Sequence, residues 1–166
     1  MRRILGIDPG SRITGYGVIE SDGRKSVHIA SGCIKLGSGE LPQRLGEIYR
    51  AVSQVILDYG PTEMAVEEVF VSKNPSSALK LGHARGAAVC AGVMAGLEIA
   101  EYTPRRIKQA IVGTGAADKE QVQHMIKLIL QLNEKLAADQ ADALAVAISH
   151  AHSNSTLLNI KTGSRR

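Results

Sequence analysis

The chain has 166 residues, 20 Lys plus Arg against 16 Asp plus Glu, and a formal net charge of +4. Hydrophobic residues make up 44% and charged residues 22%, a globular composition that excludes wholesale disorder and suits one domain with a real core. Trp is absent and Phe70 is the only phenylalanine, so a broad aromatic platform for stacking single strands is excluded.

The first third reads as strands. Residues 3–7 form a short apolar run that ends at Asp8, and Pro9-Gly10-Ser11 is a turn signal. Residues 13–21 follow as a second strand, Asp22-Gly23 predicts a two-residue hairpin turn, and residues 26–36 form a third strand. The pattern then changes period. Leu41-Pro42 opens a helix with Leu45, Ile48, Val52, Val55 and Ile56 on one face, and Tyr59-Gly60-Pro61 stops it. A buried strand at 64–66 runs into Glu67-Glu68. Residues 76–96 read as a long small-residue helix, 99–102 as a strand, and 104–112, 119–132 and 139–152 as helices. Residues 153–166 are polar and end in Arg165-Arg166, which predicts a disordered basic tail after a domain of residues 1–152. Three hairpin-linked strands followed by β-α-β crossovers predict an α/β fold. Its mixed five-stranded sheet has the first three strands antiparallel and helices on both faces.

Cys33 and Cys90 have no Cys-x-x-Cys partner or nearby His pair, so a zinc site is not expected and both read as small, buried, reduced residues. Asp8-Pro9-Gly10 follows Met1-Arg2-Arg3 too closely to leave a signal-peptide apolar stretch. The longest apolar run, 87–97, is short of the roughly 20 residues of a membrane span. A cytoplasmic protein without a membrane partner is expected.

The informative residues are acids at element ends. Asp8 closes the first strand, Glu67-Glu68 close the fourth, and Asp139 and Asp142 open the last helix at i, i+3 spacing, on one face. Each has an ordinary reading. Asp8 in Asp-Pro-Gly suits a plain turn, Asp139 an N-cap, and Asp142 the positive end of a helix dipole. Strand alternation sends Glu67 and Glu68 to opposite faces, so one of them joins a cluster, and spacing leaves open which. Three separated buried elements all ending in acid tips the balance. Converging carboxylates repel unless cations neutralise them, and hard oxygen donors favour Mg²⁺ or Mn²⁺. Two such ions about 4 Å apart can activate water at a phosphodiester.

Basic residues lie beside these acids. No carboxylate occurs between Glu68 and Glu98, yet Lys73, Lys80 and Arg85 do. That segment could track phosphates, or it could be a solvated helix edge. Arg105, Arg106, Lys108 and Lys119 form a second basic region, with Lys108 and Lys119 as candidate phosphate or transition-state contacts. Phe70, two residues past the strand end, is core filler by default and a stacking probe by position. The helix at 76–96 carries Gly82, Gly86, Gly92 and Gly96, each costing about 1 kcal/mol relative to Ala. Such glycines permit close approach, by the chain's own sheet or by a second subunit. The stretch from Gly10 to Gly17 lacks the Gly-Lys-Ser/Thr ending and enters a strand, so it is not a Walker A loop.

The chain resembles the bacterial RuvC Holliday junction resolvases. The residues that carry the likeness are Gly6-Ile7-Asp8-Pro9-Gly10-Ser11, Thr14-Gly15-Tyr16-Gly17, Ala65-Val66-Glu67-Glu68-Val69-Phe70 and Ala138-Asp139-Gln140-Ala141-Asp142-Ala143-Leu144-Ala145. Lys73-Asn74, the run from Ser77 to Gly82 and Val122-Gln123-His124-Met125 add to it. The resemblance implies a ribonuclease-H-like fold and a homodimeric endonuclease making paired symmetric nicks in four-way DNA junctions during recombination and repair. It implies two Mg²⁺ per site, replaceable by Mn²⁺, on Asp8, Glu67, Asp139 and Asp142, with Lys108 and Lys119 as further catalytic residues. DNA contacts are expected from Phe70, Lys73, Asn74, Ser77, Lys80, Arg85 and Arg105. The RuvAB branch-migration complex is the implied partner. Two rival readings stand beside it. A sugar-kinase-like or actin-like ATPase would need a second phosphate loop and a second lobe. A non-catalytic junction-binding module would bind without cutting. With four acids as ligands, 12 acids face 20 bases, or +8 outside the site.

Overall fold

The computed structural model describes residues 1–69 and 74–163, with side chains described through Ser153. In chain order the elements are β1 (Arg2–Asp8), β2 (Ile13–Ser21), β3 (Ser26–Lys35), α1 (Leu41–Tyr59), β4 (Glu63–Glu67), α2 (Pro75–Met94), β5 (Glu98–Tyr102), α3 (Pro104–Val112), α4 (Lys119–Leu130) and α5 (Ala138–Gly163). The strands form one sheet in the order β3-β2-β1-β4-β5. β1, β2 and β3 pair antiparallel, while β4 is parallel to β1 and β5 to β4. This is the mixed, ribonuclease-H-like sheet that the sequence predicts.

Period-2 alternation divides the core into two layers. Leu5, Ile7, Val18, Met64 and Val66 pack with Ile48, Val52 and Ile56 of α1 and Ala84, Ala88 and Ala91 of α2. Ile4, Ile19 and Ala65 pack on the opposite face with α3, α4 and the alanine-rich α5. On that second face the sheet is bare. A Cβ on Gly6 would land on the carbonyl oxygen of Ala143, one on Gly15 on that of Asp139, and one on Gly17 on the Leu144 side chain. Gly6 pairs with Gly17 in the register, so α5 lies directly on backbone. Farther along α5 a buried polar chain fastens it. His150 Nδ1 is 2.8 Å from the Tyr102 hydroxyl and its Nε2 is 2.6 Å from Glu63 Oε2, which also accepts from Arg2 at 2.8 Å. A connected buried network of this kind specifies one arrangement of β1, β4, β5 and α5.

Several expectations are corrected. The β2–β3 connection is four residues, 22–25, rather than a two-residue turn. Asp22 Oδ1 accepts from the amides of Arg24 and Lys25, both at 2.8 Å, and adds to the backbone hydrogen bond from the Asp22 amide to Lys25 O at 3.3 Å. Cys33 is half-buried and Cys90 is exposed, because Cys90 lies on the outer face of α2. The predicted helix ends at 96 and 132 fall instead at Met94 and Leu130, where Ala95 and a left-handed Gln131 cap the chain. α5 runs to Gly163, past the boundary at 152 where the sequence places a disordered tail. A helix anchored by a buried segment extends at one hydrogen bond per added residue, and Ser153 Oγ donates to Ser149 O at 2.9 Å at the start of this extension. Among the described residues no helix is long and apolar enough to cross a membrane.

Candidate active site

Asp8 is the last residue of β1 and Glu67 the last of β4. Ile4 and Ala65 share their parity and face α5, whereas Leu5, Ile7, Met64 and Val66 face α1 and α2. Parity therefore puts Asp8 and Glu67 on the α5 face. Of the adjacent pair, Glu67 is the one that lies within the strand. Glu68 lies beyond the strand, and its amide donates to Tyr102 O at 2.9 Å.

Asp139 and Asp142 reach the same place because α5 begins over β2. Gly15 pairs with Asp8 and lies under the carbonyl of Asp139. Asp139 is inside the first turn of α5, which starts at Ala138, so it is not the N-cap that its ordinary reading suggests. The turn is closed by Gln140, which sequence reasoning missed. Its Oε1 accepts from the Ala137 amide at 3.1 Å and its Nε2 donates to Ser31 Oγ on β3 at 2.8 Å. A glutamine between two acids carries no signal that would single it out.

The four acids line one cleft of about 470 Å³, together with Pro9, Glu68, Lys108 and Lys119. Burial, then the charges of Glu67, Asp142 and Asp139, push the Asp8 carboxyl up to about 8. Glu67 is also raised, by burial first and by Asp142, while Asp8, Lys119 and Lys108 act to lower it. The hydrogen bond between the two carboxyl groups raises Asp8 and lowers Glu67. Lys119 Nζ stands 3.4 Å from Asp142 Oδ2, and that carboxylate holds the ammonium above its ordinary value. As the side chains stand, no three His, Cys, Asp or Glu residues among those described close into a finished metal cage. Mutual repulsion keeps carboxylates apart and raises their proton affinity, and a hard cation relieves both effects. The donor set, four carboxylates gathered in one cleft, fits such an ion.

The remaining expected residues separate into groups. Lys108 and Lys119 stand at the cleft with the acids. Asn74 caps α2, its Oδ1 accepting from the amides of Ser76 and Ser77 at 3.0 and 3.3 Å. Ser77 and Lys80 are exposed on the first turns of α2. Arg85 is paired with Glu101 of β5. Arg105 is exposed, its stem laid over Gly115. Phe70 and Lys73 lie outside the described residues.

A mixed sheet of this order, flanked by helices on both faces, is the ribonuclease-H-like fold, and here acids stand at the ends of β1 and β4 and at the start of the helix across them. The model of one family, crossover junction endodeoxyribonuclease RuvC, matches residues 4–150. A RuvC of Pseudomonas fluorescens is 58% identical over 166 residues, covering all of this chain and 95% of that protein. A RuvC of Photobacterium profundum is 59% identical over 158 residues, covering 95% of this chain and 91% of that one. The structure of Thermus thermophilus RuvC in complex with a Holliday junction substrate superposes with a TM-score of 0.89 at 34% identity, over 94% of this chain and 96% of that one. The chain belongs to the RuvC family of crossover junction endodeoxyribonucleases.

Proposed function

We propose that this chain is a Holliday junction resolvase, cutting four-way DNA junctions by metal-dependent hydrolysis of phosphodiesters in recombination and repair. The observation that carries the reading is the convergence of Asp8, Glu67, Asp139 and Asp142 from three elements into one cleft bordered by Lys108 and Lys119. The four acids would hold two divalent cations, Mg²⁺ or Mn²⁺. When bound, such ions supply Lewis acidity to the attacking water and the leaving oxygen. The protein's own part is positional. Bare glycine backbone and the Gln140 clamp fix the first turns of α5, so the acids need little reorganisation. Lys119 pairs with Asp142 and is placed to meet a phosphate when that carboxylate turns to a cation. Lys108 adds positive charge from α3.

Paired nicks call for two sites related by a two-fold axis, hence a homodimer. The outer face of α2 supports that partner. Leu79 is 66% exposed, Val93 55% and Met94 75%. A Cβ at Gly82 or Gly86 would meet nothing, whereas Gly92 is the α2 glycine that packs inward, on Met64 and Ile99. Gly82 and Gly86 therefore leave room for a second copy of this chain. The same reading makes the protein cytoplasmic and a partner of the RuvAB branch-migration complex.

The test is incubation with a synthetic four-way junction or plain duplex, with and without Mg²⁺. Symmetric nicks on the junction alone, lost in Asp8→Asn while junction binding persists, are expected. Binding without any Mg²⁺-dependent product would instead make the chain a non-catalytic junction-binding module. ATP binding by the chain would favour the kinase-like ATPase.

A further inference from the structure

The loop between β1 and β2 is braced far beyond what a connection needs. Gly10 offers both its amide and its carbonyl to Thr14 Oγ1, at 3.3 and 3.1 Å. A Cβ on Gly10 would land on the carbonyl oxygen of Ile13. Arg44 of α1 donates to Ser11 O at 3.1 Å, and the Leu36 amide donates to Arg12 O at 2.9 Å. Three neighbours, from β2, α1 and the end of β3, thus hold Gly10, Ser11 and Arg12 of a four-residue loop. Arg44 keeps its Nε buried without a hydrogen-bond partner to do so, a desolvation cost of about 1–3 kcal/mol.

What this bracing presents is Arg12. It is exposed and has no acidic partner among the described residues, whereas Arg2, Arg3, Arg85 and Lys119 each have one. The register puts it at the active-site end of the sheet. Asp8 pairs with Gly15 and Ile13 with Lys35, so Arg12 and exposed Lys35 stand just past the strand ends that carry Asp8. Pro9, first residue of the loop, lines the acid cleft itself. Lys108 and Lys119 approach that cleft from α3 and α4. Lys108 and Lys119 thus line the cleft, while Arg12 and Lys35 stand at the end of the sheet that carries Asp8.

We propose that Arg12, held by Arg44 through Ser11, is a preformed contact for a DNA phosphate next to the one being cut. The inference rests on the nuclease reading above. An exposed guanidinium on a free loop loses much of its binding energy to ordering. On this loop the backbone is ordered beforehand, and the planar fork suits a phosphate's paired oxygens. Arg12 binds and is not catalytic. Arg44 is a positioning residue that acts through the Ser11 carbonyl.

The experiment measures junction binding by the full chain without divalent metal, as a function of salt, for the wild type, Arg12→Ala, Arg12→Lys and Arg44→Met, with melting temperatures as control. Arg12→Ala is expected to weaken binding about fivefold to tenfold and to make the salt slope shallower by about 0.9, one phosphate contact. Arg12→Lys should keep the slope with intermediate affinity. Arg44→Met should weaken binding while keeping the slope, since the charge at Arg12 remains. A wild-type slope in Arg12→Ala overturns the proposal, whatever its affinity. Should the wild type itself fail to bind junctions, the nuclease reading falls and this site with it.

Discussion

Asp8→Asn should make the metal-free protein more stable at pH 8. In the folded chain burial and three neighbouring acids raise the Asp8 carboxyl from 3.8 to about 8. Between those values the folded state binds more protons than the unfolded state, so stability falls as pH rises. At about 1.4 kcal/mol per unit, the full shift sets a ceiling near 5 kcal/mol at pH 8. Water entry into the cleft and sharing of the proton with Glu67 bring the expected gain from Asn to about 2 kcal/mol. For a chain of this size that is a rise in melting temperature of about 4–8 °C. The assay is thermal melting in chelator at pH 5 and pH 8. Wild type should melt lower at pH 8 than at pH 5, Asp8→Asn should show a smaller difference, and the gap between the two should be narrower at pH 5 than at pH 8. Mg²⁺ at pH 8 should raise the wild type and leave the variant nearly unchanged. A wild-type melting temperature in chelator that is level or rising between pH 5 and pH 8 would refute the assignment of repulsion to this cleft.

Gly15→Ala would drive a methyl into the carbonyl of Asp139; melting should show a loss of about 2–3 kcal/mol, and calorimetry should show weakened Mg²⁺ binding. Gln140→Ala removes hydrogen bonds to Ala137 and Ser31. It should cost about 1–2 kcal/mol, and titration should show a raised Mg²⁺ requirement for cleavage with junction affinity unchanged. Lys119→Met should lower the cleavage rate at saturating Mg²⁺ by about a hundredfold if it meets the phosphate, in single-turnover kinetics with preformed complex.

How much of this could be read before the structure depends on which residues carry a local signal. The strand at 13–21 and the helix at 104–112 have their observed bounds, because turn residues and proline punctuate them. The four acids stand out in the sequence because Asp8 and Glu67 end buried strands and Asp139 and Asp142 open a buried helix. The choice between Glu67 and Glu68 needed the sheet, yet a trace of it was present. Gly6 and Ala65 are the small residues of their strands, they mark the face that a close helix covers, and Asp8 and Glu67 share their parity. The Asp22 turn was misread because its side chain, rather than strand twist alone, sets the loop length. Asn74, read in the sequence as a DNA contact, also caps α2; capping and phosphate binding call for the same polar residue at the same place. The pairing of Arg85, an expected DNA contact, with Glu101 was not legible because Glu101 lies on another element. Gln140 and the Arg44 brace join residues far apart in sequence, and no local pattern encodes such pairs.

The first turns of α5 rest on Gly6 and Gly15, where helix carbonyls lie against bare sheet backbone. A cushioned helix can shift by rotamer exchange and open on its own, and such local opening is how many active sites acquire mobility. Backbone laid on backbone has no intermediate positions. The amides around Ala143 to Ala147 should therefore exchange hydrogen with solvent only when the whole sheet unfolds, at the same free energy as the slowest amides of β1. Two of the acids that define the site would then have no breathing motion of their own: they are lost with the fold, and not before it.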